Sequence, residues 1–192
     1  TTGEGGMALT NNKSIAQKMM NFRSHGITRD PDMWTNASND VWYYEMQELG
    51  LNYRLTDLQA ALGLSQLKDI KRNIDKRNEL AQNYNNMLDT EKLVLPYVRE
   101  CNVSAFHLYI IQLKDKKRRS MVFNQLRDAG IGVNVHYIPV HLQPYYANLG
   151  FKRGDFPKAE EYYEGALTIP LYPNLSSIEQ DFVCDSLHKA LN

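Results

Sequence analysis

Gly50-Leu51-Asn52-Tyr53-Arg54-Leu55-Thr56-Asp57-Leu58-Gln59-Ala60-Ala61 is the stretch on which the fold of this chain turns. Thr56 with Gln59 three positions on forms a capping box, in which the threonine hydroxyl takes the Gln59 amide and the glutamine side chain returns a bond to the Thr56 amide. A helix therefore starts here. Asn52, Tyr53 and Arg54 stand just before it, on a loop held by a rigid element, where side chains can be aimed at a ligand or a neighbour. By residue type alone, Asn52 also suits an Asx turn and Arg54 an ion pair with Asp57, worth less than about 1 kcal/mol when exposed. Downstream, Leu58, Ala61, Leu62, Leu67, Ile70, Ile74, Leu80, Tyr84, Met87 and Leu88 keep helical spacing. One helix of about nine turns is predicted, bridging two domains.

Upstream, Ile15, Met19 and Phe22 predict a short helix over 12–22 that closes at Gly26. Residues 28–49, with Asp30-Pro31-Asp32 and the aromatics Trp34, Trp42, Tyr43 and Tyr44, lack periodicity and read as a long loop ending in a short strand or hairpin. Aromatic-rich loops of that length are seldom idle spacers. Toward the C-terminus, 106–113 reads as a strand, 119–129 as an amphipathic helix stopped by Gly130, and 131–137 as an alternating strand. Helices are predicted over 157–167 and 176–191, the second opened by a Ser176/Glu179 capping box, with an extended proline-bearing segment at 167–173 between them. The pattern is α/β, with a first domain over 1–85 and a small C-terminal α/β domain over 86–192.

Among 192 residues, Lys+Arg and Asp+Glu both number 22, so no summed field draws the chain to nucleic acid or to an anionic membrane surface. Cys101 and Cys184 lie far apart and outside any metal-ligand spacing, and no apolar run approaches the roughly 18 residues of a membrane span. Free thiols of this kind suit a reducing cytoplasm, and a cytoplasmic location is expected. No metal is expected. The chain opens on Thr1-Thr2-Gly3-Glu4-Gly5-Gly6, a glycine-rich turn in which main chain can come close to a ligand. Such a turn belongs inside a domain, so a larger parent protein is expected. His136-Tyr137-Ile138-Pro139-Val140-His141-Leu142-Gln143, with Tyr145 and Tyr146 following, places imidazoles and phenols on a proline-stiffened loop. These groups bond hydroxyls and phosphates while their rings pack on sugar or base faces.

Taken in order, the glycine turn, Arg23-Ser24-His25-Gly26, the Gly50 to Ala61 stretch and the His136 loop resemble the DegT/DnrJ/StrS-type sugar-nucleotide aminotransferases, which use pyridoxal 5'-phosphate. Among them, the resemblance is to the C4 aminotransferases of pseudaminic acid biosynthesis. It implies the C-terminal part of a fold type I transferase, namely the end of the large domain plus the small domain. It further implies cofactor contacts from Asn52, Gly5 and Gly6, with Asn52 lent across a homodimer to the cofactor phosphate. Substrate contacts are implied for Tyr53, Arg54, His136, Tyr137 and His141. The lysine of the Schiff base is expected upstream of Thr1, so no catalytic residue is assigned here and this polypeptide alone is expected to be inactive. The implied reaction moves an amino group, with glutamate as donor, to a nucleotide-linked keto-deoxysugar for cell-surface polysaccharide or glycan synthesis. The alternative is a non-catalytic module for small-molecule binding or subunit association.

Overall fold

In the computed structural model, which describes residues 1–192, the side chain of Asn12 accepts from the amides of Ser14 and Ile15 and so opens helix α1 (Lys13–Arg23). The chain then forms strand β1 (Ile27–Thr28), a 3-10 turn at Pro31–Met33 and strand β2 (Glu45–Met46). The two strands pair antiparallel, Ile27 opposite Met46 and Thr28 opposite Glu45. The loop at 28–49 thus closes in a short strand pair, as its sequence suggests. Helix α2 (Asp57–Lys68) follows, with both halves of the Thr56/Gln59 capping box in place.

One carboxylate organises that loop. Glu45 is buried and accepts five hydrogen bonds: from the Thr35 amide (2.6 Å), the Asn36 amide (2.8 Å), Asn36 Nδ2 (3.1 Å), the Tyr43 hydroxyl (2.8 Å) and Gln47 Nε2 (2.5 Å). Trp34 and Tyr43 meet edge to face beside it, ring centroids 4.8 Å apart. A buried charge is tolerated only when its lone pairs are satisfied, and here they are. The Thr35 amide does most to hold the Glu45 pKa down, to about 2, against the upward push of burial, and Asn36 and Tyr43 add to it.

The predicted nine-turn helix is interrupted. At Asp69 the backbone moves to φ −101° and ψ 3°, and its amide turns to the carbonyls of Gln66 and Leu67. Such tightened bonds end an α-helical ladder. A new helix, α3 (Ile70–Met87), begins at the next residue. Packing follows this break: α2 buries none of its residues, and Leu58 remains 85% exposed, whereas α3 buries Leu80, Ala81 and Tyr84. The chain divides into two compact units, Thr1–Asp69 and Ile70–Asn192. The division falls at 69/70 rather than 85/86, because the buried residues of α3 belong to the core of the second unit.

That second unit is built on a three-stranded antiparallel sheet in the order β3 (Leu93–Val94), β4 (Tyr109–Leu113), β5 (Ala166–Ile169). Leu93 faces Leu113 and Tyr109 faces Ile169 across the ladder. Alternate residues of β4, namely Tyr109, Ile111 and Leu113, enter the core, as a period of two requires. They meet Val122 and Leu126 of α4 (Arg119–Asp128), and the four-residue helix α5 (Pro144–Ala147) and α6 (Pro157–Gly165) follow before β5. The last helix, α7 (Ser177–Leu191), starts at the Ser176/Glu179 capping box and adds Val183 and Leu187. Buried polar atoms pair within this core: the Tyr84 hydroxyl donates to the Pro170 carbonyl (2.8 Å) and Gln180 Nε2 to the Leu80 carbonyl (2.7 Å). No helix is long and apolar enough to cross a membrane.

Residues 131–137, predicted as a strand, pair at one point only, where Asn134 bridges Thr168. The Val133 amide folds back on the Ile131 carbonyl (2.9 Å), a γ-turn that curls the chain before a ladder can extend. The helix predicted over 157–167 ends at Gly165, and β5 takes the last two positions.

Glu45 yields a prediction. Its folded pKa of about 2 lies below the roughly 4.3 of an unfolded glutamate, so its contribution is complete above about pH 5 and is lost as pH falls toward 2. Glu45→Ala should abolish hydrogen-exchange protection of the Thr35 and Asn36 amides at pH 7. Wild-type protection should decay toward that of the variant as the solution is acidified.

Candidate functional site

The expected site residues fall into two clusters, one in each unit. In the first unit, the loop before α2 is fastened to the end of α1 by main-chain bonds: Leu51 N to Phe22 O (2.7 Å), His25 N to Leu51 O (2.8 Å) and Tyr53 N to Arg23 O (2.9 Å). Asn52 bridges Ser24 in the same run. The fastening depends on two glycines. A Cβ on Gly50 would stand 2.1 Å from the Gly26 amide nitrogen, and one on Gly26 would stand 1.7 Å from the Glu48 carbonyl oxygen.

The glycine-rich turn comes to the same end of α2. Gln59 Nε2 donates to the Glu4 carbonyl (3.0 Å), and a Cβ on Gly5 would meet Thr2 Oγ1 at 2.5 Å and Leu55 Cδ1 at 3.5 Å. A side chain at Gly5 would therefore displace the Thr2 hydroxyl. Gly6 has open space around it. The side chains of Asn52, Tyr53 and Arg54 are all exposed, with Tyr53 at 73%. Neither the Asn52 amide nor the Arg54 guanidinium is consumed by a bond inside the chain, and Arg54 forms no ion pair with Asp57. This end of α2 thus carries unspent donors on a rigid loop, the chemistry that receives an anion such as a phosphate.

In the second unit the His136 loop separates into an exposed part and a buried part. His136 Nδ1 lies 2.8 Å from Thr168 Oγ1, and its ring stands edge-on to Tyr137 with centroids 4.5 Å apart. His136 is half-buried and Tyr137 is 70% exposed, so both can meet a ligand. His141 differs from its expected role at a binding surface. It is buried, its Nε2–H donates to Glu160 Oε1 (2.8 Å), and its ring packs 4.8 Å from that of Phe156. Its Nε2 is thus committed to a bond inside the unit. The 3-10 turn at Val140–Leu142 rotates His141 inward, a local detail that the proline-rich sequence does not announce.

Glu160 also accepts from the Gly154 amide (2.7 Å), and Arg153 stands 3.8 Å from its second oxygen. Burial pushes its carboxyl up, but the bonds from His141 and from the Gly154 and Phe156 amides outweigh burial and leave the pKa below the ordinary range. Reasoning from sequence missed Thr168, Asn134 and Glu160. The order of chain gives no sign that a residue of β5 or α6 would meet this loop. The chain has no group of His, Cys, Asp and Glu able to hold a metal ion.

Residues 1–188 match the model of the DegT/DnrJ/EryC1/StrS aminotransferase family. The spore coat polysaccharide biosynthesis protein SpsC of Bacillus subtilis is 39% identical over 97% of this chain and 49% of its own length. A UDP-4-amino-4,6-dideoxy-N-acetyl-beta-L-altrosamine transaminase of Campylobacter jejuni is 34% identical over 100% of this chain and 49% of its own. Among solved structures, PseC of Helicobacter pylori, an aminotransferase involved in the biosynthesis of pseudoaminic acid, superposes with a TM-score of 0.83 at 29% identity. That superposition covers 95% of this chain and 47% of PseC. The chain spans about half the length of the curated relatives it matches.

The buried pair yields a second prediction. Because Glu160 has a lowered folded pKa, its contribution is present above about pH 4.3 and is lost as pH falls through the folded value. His141→Ala and Glu160→Gln should each lower the urea midpoint of the second unit at pH 7 with the slope unchanged. The double variant should cost less than the sum, since both remove one interaction. A full additive loss would show that the two side chains act apart.

Proposed function

Because the chain belongs to the DegT/DnrJ/EryC1/StrS aminotransferase family, we propose that it serves, as part of a longer protein, in pyridoxal-phosphate-dependent transfer of an amino group to a nucleotide-linked keto-deoxysugar. Glutamate is the proposed donor, cell-surface glycan or polysaccharide synthesis the proposed setting, and a cytoplasmic homodimer the proposed form. The observation that carries this reading is the family match over 1–188, which includes a loop with an unspent amide and guanidinium at Asn52 and Arg54.

The donor set fits a cofactor phosphate. Asn52 offers an N–H₂ on a loop that cannot drift, because the Gly26 and Gly50 main chains lock it to α1. The turn at Gly5 brings exposed main chain to the same end of α2, and Gly6 extends it. When bound, pyridoxal phosphate supplies the electron sink for proton removal at the amine-bearing carbon. The residues of this chain orient and bind: Asn52 and the glycine turn toward the cofactor, Tyr53 and Arg54 toward the substrate. His136 and Tyr137 supply one hydrogen-bonding ring and one phenol to the sugar nucleotide. The lysine that anchors the cofactor is proposed to lie in the rest of the protein, so this polypeptide alone is inactive.

Two substitutions in the full-length protein test the assignment. Hydrogen bonds to charged groups are worth about 1.5–3 kcal/mol, so Asn52→Ala should weaken retention of pyridoxal phosphate about tenfold or more, read by cofactor release on dialysis. His136→Ala should raise KM for the nucleotide sugar and leave the half-reaction with glutamate nearly unchanged. Equal loss in both half-reactions would make the His136 loop structural.

A further inference from the structure

His136 is mounted between two side chains that decide which of its ring nitrogens carries the hydrogen. Asn134 Oδ1 accepts from the Val135 amide at 2.8 Å, which fixes the orientation of that carboxamide. Its Nδ2 then faces His136 Nε2 at 3.4 Å. An amide nitrogen can only donate, so Nε2 presents its lone pair and the ring hydrogen sits on Nδ1. Nδ1–H in turn points at Thr168 Oγ1, 2.8 Å away. The mount is stiff. Thr168 is buried, and it exchanges both main-chain bonds with Asn134, Thr168 N to Asn134 O at 2.8 Å and Asn134 N to Thr168 O at 3.2 Å. On its other side β5 is held to β4, with Thr168 opposite Ile110.

We infer that Thr168 and Asn134 are positioning residues, which hold neutral His136 as the Nδ1–H tautomer with Nε2 ready to accept from a hydroxyl or amide N–H of the nucleotide sugar. The assignment of a sugar-nucleotide role to His136 rests on the function proposed above; the tautomer rests on the hydrogen bonds alone. The Asn134 contact is longer than the usual range of about 2.7–3.2 Å, so a ligand donor at normal distance displaces it with little loss. A substrate group that only accepts would find two lone pairs opposed. The site therefore selects for a donor at that position of the sugar, in the way that a buried polar group rejects an unmatched partner.

The tautomer is read from the nitrogen shifts and two-bond couplings of histidine, in the full-length protein labelled with 15N-histidine and held at alkaline pH, with His136→Gln assigning the signals. The expected result is protonated Nδ1 in the wild type, a shift toward protonated Nε2 in Thr168→Val, and retention in Thr168→Ser. Asn134→Ala, at an exposed position, should weaken the bias should Thr168→Val fail to fold. In the full-length enzyme, Thr168→Val should raise KM for a UDP-linked keto-deoxysugar about tenfold, the loss of one well-placed bond, with Thr168→Ser near wild type. Protonated Nε2 in the wild type, or an unchanged ratio in both Thr168→Val and Asn134→Ala, would overturn the proposal. If the ratio moves as expected while His136→Gln leaves KM unaltered, the positioning stands and the assignment of His136 to the sugar nucleotide falls.

Discussion

The approach of the Gly26 and Gly50 main chains is the constraint on which the first candidate cluster depends. With a Cβ on Gly50 only 2.1 Å from the Gly26 nitrogen, no side chain fits at either position without prising the loop from α1. Because the two strands of chain touch, Leu51 and Tyr53 can complete their bonds to Phe22 and Arg23, and Asn52 is carried between them with its side chain outward. The capping box at Thr56 then fixes the other end of the loop. A short polar segment bounded in this way needs little further ordering to meet an anion, which is how a modest donor set acquires useful affinity.

In the second unit the same accounting of hydrogen bonds separates two histidines that look equivalent in sequence. His136 and His141 both flank Pro139 in a loop leaving the Ile131 segment. His141 spends its Nε2–H on a carboxylate that also takes the Gly154 amide, and the ring packs against Phe156. His136 spends one nitrogen well and the other poorly, at 2.8 and 3.4 Å. The first arrangement is buried and short-bonded. The second keeps one long contact, on an atom of defined polarity.

Much of this was legible along the chain because it is written in local rules. The capping boxes at Thr56 and Ser176, the stop after α1 and the amphipathic α4 all follow from residues within a few positions of one another. The unbroken helical spacing from Leu58 to Leu88 was misleading, since periodicity reports which residues share a face and not whether that face finds a core. Likewise the alternation at 131–137 has the period of a strand, yet the turn at Ile131 to Val133 leaves one bridge. Thr168 and Glu160 were out of reach for a different reason: each meets its histidine across 32 and 19 residues of sequence.

Charge and sequence alone do not rank the loop residues, since a neutral chain with a conspicuous pair of histidines invites both into one site. Their hydrogen bonds set them apart. Glu45 takes five donors and Glu160 takes two on one oxygen with Arg153 near the other, so both carboxylates are engaged within the loops that carry them. Asn52 and Arg54 remain as donors in one unit, and in the other the Nε2 of His136 is an acceptor held only by the longer Asn134 contact. An anionic group suits the two donors of the first unit, and a hydroxyl or amide hydrogen suits the acceptor of the second.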